Sequence, residues 1–379
     1  MPRAILSDAM TQYRQPLLTQ IPAEIVAVRD YERYAQARLD DNAWAYFSGG
    51  AADERALQRN IAAFQRYELL PAVLNDLRGG NTSLNLFGRE RPYPILLAPV
   101  AYQRLAHPDG EAATVLAASA MQATAVVSMQ SSCDVQMLAQ QAHEPLWFQW
   151  YWQADQAASQ DLLRRIEAAG FEAIVLTADA PVNGIRNREQ RAGFFLPSGV
   201  EAVNLRGFVQ PSVAPGEPGT SPVFGSGLLH SAATWDALAW LASNTSLPVL
   251  VKGVLRPQDA VKAVSLGAQG IIVSNHGGRT LDAITTPLRM LPEITDAVGH
   301  NVPVLMDGGI RRGTDILIAL ALGATAVLVG RPYIFALAAA GAAGVAHVLH
   351  ILRTELEVAM ALCGCATLAD IGPDLLLEA

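Results

Sequence analysis

The feature that most restricts what this 379-residue chain can fold into is an alternation of short apolar runs with longer amphipathic stretches. The runs are Pro94–Val100, Ala123–Ser128, Leu146–Trp152, Glu172–Ala180, Leu247–Val254, Gly270–His276, Val302–Gly309 and Ala324–Arg331. Most are continuously apolar, as strands buried on both faces of a parallel sheet must be. Helical stretches lie at 109–121, 133–143, 156–170, 233–243, 257–266, 286–298 and 313–322, with 333–362 after the last run. Eight such units in strict alternation predict an α/β fold, a (β/α)8 TIM barrel; a doubly wound sheet would show a similar rhythm.

The expected organisation is one domain over 1–379. A helical N-terminal segment (1–65, with patches at 22–38 and 40–63) packs on a barrel (66–364), and a tail (365–379) follows. One connection breaks the rhythm: the Gly/Pro/Ser-rich loop 198–232 after the fourth run. It emerges on the face where barrel enzymes build their sites, so a lid is expected there rather than a disordered insertion.

Composition narrows the function. With 51% hydrophobic and 16% charged residues the chain can bury a large core. A net charge of −8 argues against nucleic acid as a partner. Met1 to Tyr31 lacks the apolar core of a signal peptide, and no apolar run is expected to span a bilayer. The stretch Ile334 to Leu362, interrupted by Gly341, Gly344, His347, His350, Arg353 and Glu355, reads as a packed helix. No membrane association and a cytoplasmic location are therefore expected. Cys133, Cys363 and Cys365 cannot make a disulfide framework, and Cys363-Gly364-Cys365 reads as helix-end packing, so no metal site is expected.

Side chains at the C-terminal ends of barrel strands point into the catalytic mouth. Taken in order, those ends carry Ser128; Gln149 and Tyr151; Thr177 and Asp179, with Arg186 beyond; Lys252; Ser274-Asn-His-Gly-Gly-Arg279; Asp307-Gly-Gly-Ile-Arg311; and Gly330-Arg331. Nearly every polar strand residue falls at this one end. Gly308, Gly309, Gly330, Arg311 and Arg331 occupy the loops where barrels bind phosphate, although glycines there can simply make tight turns. Lys252, behind an apolar run, needs an anionic partner: an ion pair, a Schiff-base role, or a cofactor that becomes negative during turnover. His276 and Arg279, three residues apart on a glycine turn, suit a general base beside a carboxylate clamp, with Asp179 orienting the imidazole. The bland alternative is a structural histidine.

Ser274-Asn-His-Gly-Gly-Arg-Thr-Leu-Asp282, Leu305-Met-Asp-Gly-Gly-Ile-Arg-Arg-Gly-Thr314 and Val329-Gly-Arg-Pro332 closely resemble the FMN-dependent L-2-hydroxy-acid oxidase/dehydrogenase family, which includes glycolate oxidase, lactate oxidase and mandelate dehydrogenase. The likeness runs from about Tyr31 to Cys365 and takes in Val251-Lys-Gly253, Leu176-Thr-Ala-Asp179 and Tyr46–Asp53. Ala98–Glu111 and Ile371-Gly-Pro-Asp374 look most like the bacterial 4-hydroxymandelate oxidase branch.

The resemblance implies FMN as cofactor and oxidation of an L-2-hydroxy acid to the 2-oxo acid. It casts His276 as base backed by Asp179, with Tyr151 on the substrate hydroxyl. Tyr46, Arg186 and Arg279 would hold the substrate carboxylate. Lys252 would sit by flavin N1, with Ser128, Gln149 and Thr177 on the isoalloxazine, the Ala98-Pro99-Val100 backbone near N5, and Ser274 also toward the cofactor. Asp307, Gly308, Gly309, Arg311, Gly330 and Arg331 would hold the ribityl phosphate. A homotetramer or octamer is implied as well. The absence of a haem domain and of a basic amphipathic stretch in the 198–232 loop favours O2 as acceptor, giving H2O2, over a quinone or protein acceptor. A colourless Lys252 Schiff-base lyase and a non-catalytic flavin-binding protein are the rivals from other classes.

Four positions depart from glycolate oxidases: Gln130 replaces a tryptophan, Asn183 a leucine, Val100 a common threonine and Thr280 a common glutamine. An amide in place of an indole makes room for an aryl or extended substrate side chain. The expected outcome of a substrate panel is a higher kcat/KM for L-mandelate than for glycolate, and a clear preference for glycolate counts against this reading.

Overall fold

The computed structural model describes residues 13–209, 221–224, 226–299 and 302–378. The N-terminal patches resolve into three helices, α1 (Tyr31–Arg38), α2 (Asp41–Ser48) and α3 (Arg55–Ala62). The Asp40 carboxylate accepts from the Ala43 amide at 2.7 Å and so starts α2, while Gly49 ends it. Residues 22–27 are not helical, which shortens the first expected patch.

Three short strands precede the barrel: β1 (Tyr67–Leu69) and a hairpin of β2 (Leu84–Leu86) and β3 (Arg89–Arg91). The hairpin turns on Phe87 and Gly88, both with positive φ, as a tight two-residue turn requires. The barrel strands follow as β4 (Ile95–Leu97), β5 (Val126–Ser128), β6 (Trp147–Trp150), β7 (Ala173–Thr177), β8 (Val249–Val254), β9 (Gly270–Val273), β10 (Val304–Asp307) and β11 (Ala326–Val329). All neighbours are parallel, and a bridge from Leu97 to Ala125 brings β4 back to the β5 edge, so the sheet is a nearly closed (β/α)8 barrel. Each strand is shorter than its apolar run. Trp152, Ala180, His276, Gly309 and Arg331 lie in the connections or open the next helix.

The helices α4 (Glu111–Ala120), α5 (Val135–Gln141), α6 (Gln156–Ala168), α7 (Asn187–Ala192), α8 (Trp235–Asn244), α9 (Pro257–Ser265), α10 (Pro287–Val298), α11 (Gly313–Ala321) and α12 (Arg331–Leu362) complete the chain order. Of these, α7 was not expected. α12 starts two residues earlier than its pattern suggests and is broken at Ala340–Gly341, where Gly341 has φ +60° against His107. The expectation that no apolar stretch is long enough to cross a membrane needs correction. α12 passes by length and composition, yet most of it is buried against α1, α4 and α11. The segment after α12 is not a loose tail, because β12 (Leu376–Glu378) pairs antiparallel with β1.

Two apolar layers follow from the strand period. Leu96, Val126, Trp147, Val175, Leu250, Ile272, Leu305 and Leu328 fill the barrel interior with Leu86 and Phe87 of the hairpin against them. The alternate positions face the helices. Of the 198–232 loop, residues 210–220 and 225 lie outside the described residues. Its first part is pinned, since the Val203 amide donates to the Ser131 carbonyl at 3.2 Å and Asn204 accepts from the Val135 amide at 3.1 Å.

α3 is seated directly on the barrel mouth. Asn60 and Asn275 exchange two buried amide hydrogen bonds of 2.7 and 2.8 Å, and a Cβ on Gly309 would overlap the Asn60 carbonyl oxygen. Because Gly309 also has φ +89°, Gly309→Ala is expected to cost about 3 kcal/mol or more, read as a lowered urea midpoint of unfolding.

Candidate active site

The barrel interior is apolar up to one level and polar at the next. Two residues beyond the inward-facing Val126, Trp147, Val175, Leu250, Ile272 and Leu305 come Ser128, Gln149, Thr177, Lys252, Ser274 and Asp307. A strand period of two puts all six on the inner face, at the C-terminal end. They are buried and hydrogen-bond in two arcs. Ser128 Oγ donates to Gln149 Oε1 and Gln149 Nε2 to Thr177 Oγ1, each at 3.0 Å. Lys252 Nζ donates to Ser274 Oγ at 2.9 Å, Ser274 Oγ to Asp307 Oδ1 at 2.5 Å, and Lys252 pairs with Asp307 Oδ2 at 3.1 Å. Burial would pull the Lys252 ammonium down, but Asp307 and then Asp179 outweigh it and hold it above the ordinary lysine value.

Above this layer opens a cavity of about 1080 Å³. The expected site residues line it, with two exceptions: Asp179 and Ser274 stand behind the wall. Ser274 is fully buried and serves Lys252, Asp307 and the His276 amide, which corrects its expected role as a cofactor contact.

His276 Nδ1 lies 2.9 Å from Asp179 Oδ1, and its Nε2 lies 3.5 Å from the Tyr151 hydroxyl. Burial would raise the Asp179 carboxyl, but His276 and then Lys252 outweigh it and keep it below the usual carboxylate range. An ionised Asp179 requires the proton on Nδ1, leaving Nε2 as the acceptor that faces the cavity. Tyr151 is pushed well up by burial and by Asp179, so its phenol remains a donor. His276 itself adopts a left-handed backbone, φ +58°, which costs about 1 kcal/mol for a residue with a Cβ. The Asn275 side chain accepts from the Gly278 amide at 3.1 Å, and the Ala51 amide donates to the Gly278 carbonyl at 2.8 Å; these hold the turn. Asp179 also dictates a glycine. β8 bulges after Lys252, and a Cβ on Gly253 (φ +101°) would come within 2.5 Å of the Asp179 side chain.

The arginines converge through contacts with the N-terminal segment. Arg279 Nη1 donates to the Tyr46 and Gly49 carbonyls at 2.5 and 3.0 Å, and its guanidinium lies 4.9 Å over the Tyr46 ring. Its Nη2 donates to Glu189 Oε1 at 2.9 Å, and Arg186 Nη1 approaches Glu189 Oε2 at 3.4 Å. Burial, then Arg186, lowers the Arg279 pKa from the ordinary arginine value. Tyr46 stacks on Phe194 with centroids 4.9 Å apart. Gln130 and Asn183 line the same cavity, near Tyr102, Trp152 and Leu228.

Next to this clamp, on the other side of the Gly49 carbonyl that Arg279 and Arg331 share, lies a second cationic patch. Arg331 donates to the carbonyls of Phe47, Gly277 and Gly49 at 3.1, 2.9 and 2.7 Å, and Arg311 to that of Ile310 at 2.8 Å. Neither arginine has an ion-pair partner within 4.0 Å among the described residues. Burial pulls Arg311 down to about 10; burial, then Arg279 and Arg311, lowers Arg331 well below its usual value. Desolvated guanidinium groups without a counter-ion call for an anion with several acceptor oxygens, and the phosphomonoester of FMN fits. Gly330 leaves open space beside it, the nearest atom to a Cβ being 3.8 Å away. Gly308 and Gly309 line the cavity, and the space a Cβ would take on each is occupied by Asn60 of α3. Asp307 differs from its expected phosphate role, since its carboxylate is spent on Lys252 and Ser274.

Three functional neighbours escaped the sequence pattern: Glu189, Gly253 and Asn60. Glu189 sits in Asn187-Arg-Glu-Gln-Arg-Ala192, which reads as a solvated face. Its spacing of three residues from Arg186 was the only local signal.

The described geometry agrees with what the chain is similar to. A model of the family described as FMN-dependent dehydrogenase matches residues 35–378. An L-lactate oxidase of Roseobacter sp. (strain GAI101) is 49% identical over 93% of this chain and 94% of its own. A peroxisomal (S)-2-hydroxyacid oxidase of Arabidopsis thaliana is 40% identical over 92% of this chain and 95% of its own. A crystal structure of mandelate oxidase with (S)-2-phenylpropionate superposes with a TM-score of 0.84 at 41% identity, covering 93% of this chain and 98% of that one. Replacing the buried carboxylate that fixes the imidazole should impair the chemical step more than binding. Asp179→Asn is expected to lower kcat on the order of 10²–10⁴-fold with little change in KM, as stopped-flow reduction of the enzyme would show.

Proposed function

The chain belongs to the FMN-dependent dehydrogenase family, and on that premise we propose that it oxidises an L-2-hydroxy acid with a lactate-like or mandelate-like side chain to the 2-oxo acid, with O2 as acceptor. The observation that carries the reading is the convergence on one cavity of an Asp179-backed His276, the Tyr151 hydroxyl and two arginines. That set holds a carboxylate at one atom group and takes a proton at the next, as a 2-hydroxy acid demands.

Bound FMN, held by Lys252, Gln149, Thr177 and Ser128 at the ring and by Arg311 and Arg331 at the phosphate, supplies a two-electron acceptor that O2 regenerates with release of H2O2. Arg279 and Arg186 bind the substrate carboxylate, and the Tyr46 ring, 4.9 Å from the Arg279 guanidinium, helps to hold it in place. Tyr151 donates to the substrate hydroxyl. His276 receives a proton at Nε2, from the hydroxyl or from the α-carbon, and Asp179 stabilises the imidazolium that results.

Side-chain preference is read from the neutral part of the lining, to which Gln130, Asn183, Tyr102 and Trp152 contribute. Amides there admit a methyl or phenyl group and offer it polar edges. The names of similar proteins, L-lactate oxidase and mandelate oxidase, support a substrate that carries a side chain. A cytoplasmic homotetramer or octamer belongs to the same proposal. The exposed apolar segment Leu70, Val73, Leu74 and Leu77 supports burial against other copies, which sedimentation at several concentrations would read directly.

Anaerobic L-lactate or L-mandelate is expected to bleach the visible flavin bands of the purified protein, and air to restore them with stoichiometric peroxide. Bleaching with only slow recovery in air would move the acceptor to a quinone or a protein. A colourless protein that takes up no FMN would overturn the reading.

A further inference from the structure

The clamp that holds the substrate carboxylate contains a carboxylate of its own. Glu189 lies in the first turn of the short helix α7, and its side chain is only 11% exposed in the cavity wall. Oε1 accepts from Arg279 Nη2 at 2.9 Å, and Arg186 Nη1 lies 3.4–3.5 Å from the two oxygens. Of the other acidic groups near the mouth among the described residues, Asp179 is matched to His276, Asp307 to Lys252, Glu54 to Arg188 and Asp282 to Arg55, while the buried Glu111 accepts from the Gln103 and Ser132 amides. Two guanidinium groups against one Glu189 carboxylate leave the clamp with a net charge of +1.

A clamp of +1 is neutralised by one carboxylate. Arg331, which shares the Gly49 carbonyl with Arg279, is matched by the phosphomonoester of FMN, so among the described residues a second negative charge on the ligand meets no further unpaired cation at the clamp, and at short range in a poorly screened site this is costly. Without Glu189 the clamp would carry +2, would hold substrate and product alike more tightly, and would favour dianions most. Tighter binding of both ground states lowers KM without raising kcat.

We propose that Glu189 is a specificity-determining positioning residue: by holding Arg279 and Arg186 and setting their joint charge to +1, it matches the site to 2-hydroxy monocarboxylates and against dicarboxylates. The proposal rests on the reading that the arginines receive the substrate carboxylate. Glu189 touches no reacting atom. It acts through the two guanidinium groups, keeping Arg279 turned towards the cavity while the Tyr46 and Gly49 carbonyls hold its other nitrogen.

Pyruvate and oxalate test it, because they are close in shape and differ by one charge. Each is titrated into the oxidised holoenzyme, and Kd is read from the change in the visible flavin spectrum. In Glu189→Gln, which keeps an acceptor for Arg279 but removes the charge, both Kd values should fall. The oxalate value should fall further, shifting the oxalate-to-pyruvate ratio by about tenfold or more. KM for L-lactate should fall as well, without a rise in kcat. Glu189→Asp retains the charge and should leave the ratio near that of the wild type, even where both affinities weaken. An unchanged ratio in Glu189→Gln overturns the proposal, as does an equal shift in Glu189→Asp. Where Glu189→Gln fails to retain flavin, a shift above tenfold in Glu189→Asp overturns it. Wild-type enzyme that binds neither anion and is not reduced by any 2-hydroxy acid would instead refute the functional reading beneath it.

Discussion

Every functional feature of this molecule depends on the requirement that parallel strands bury both faces. Inside the barrel that requirement is met by Val126, Trp147, Val175, Leu250, Ile272 and Leu305, and the hairpin residues Leu86 and Phe87 pack against that interior cluster. The mouth is then the level where polar side chains are gathered, their desolvation offset by hydrogen bonds and ion pairs to one another. The strand period delivers Ser128, Gln149, Thr177, Lys252, Ser274 and Asp307 there as one layer. Each is paired to a neighbour within that layer, so their directions are fixed before any ligand arrives.

The N-terminal segment is part of the site rather than a covering for it. Its backbone carbonyls at Tyr46, Phe47 and Gly49 accept from Arg279 and Arg331, and the Asn60 amide locks Asn275 beside the catalytic turn. Carbonyls orient a guanidinium without neutralising it. Arg331 therefore keeps its charge for an anion, and Arg279 shares its own with Glu189. Gly278 and Gly309 answer to this docking, since a Cβ on either would overlap the α3 backbone at Leu57 or Asn60.

Charge is rationed around the cavity. Lys252 has Asp307, His276 has Asp179, and the two carboxylate-binding arginines share Glu189. Among the described residues that line the cavity, Arg311 and Arg331 are the guanidinium groups with backbone partners alone, which suits them to hold the phosphate of FMN.

Much of this was written in the linear sequence. The eight apolar runs determine the barrel because their periodicity is a local property, and the clustering of polar residues at one end of each run follows from it. His276, Arg279, Arg311 and Arg331 were legible for the same reason, lying in short glycine-rich turns directly after strands. Strand ends were overextended, as at His276 and Arg331, because local hydrophobicity cannot tell where inter-strand hydrogen bonding stops. Only the tertiary structure decided that Glu189 faces Arg279 as well as Arg186, that Gly253 yields to Asp179, that Gly309 yields to Asn60, and that Ser274 is buried behind the cavity wall. The first three rest on contacts between segments remote in the chain, and the last on how deeply neighbouring strands cover a residue. Neither leaves a periodic trace in the sequence, because what selects the residue is the space and charge left by a distant neighbour.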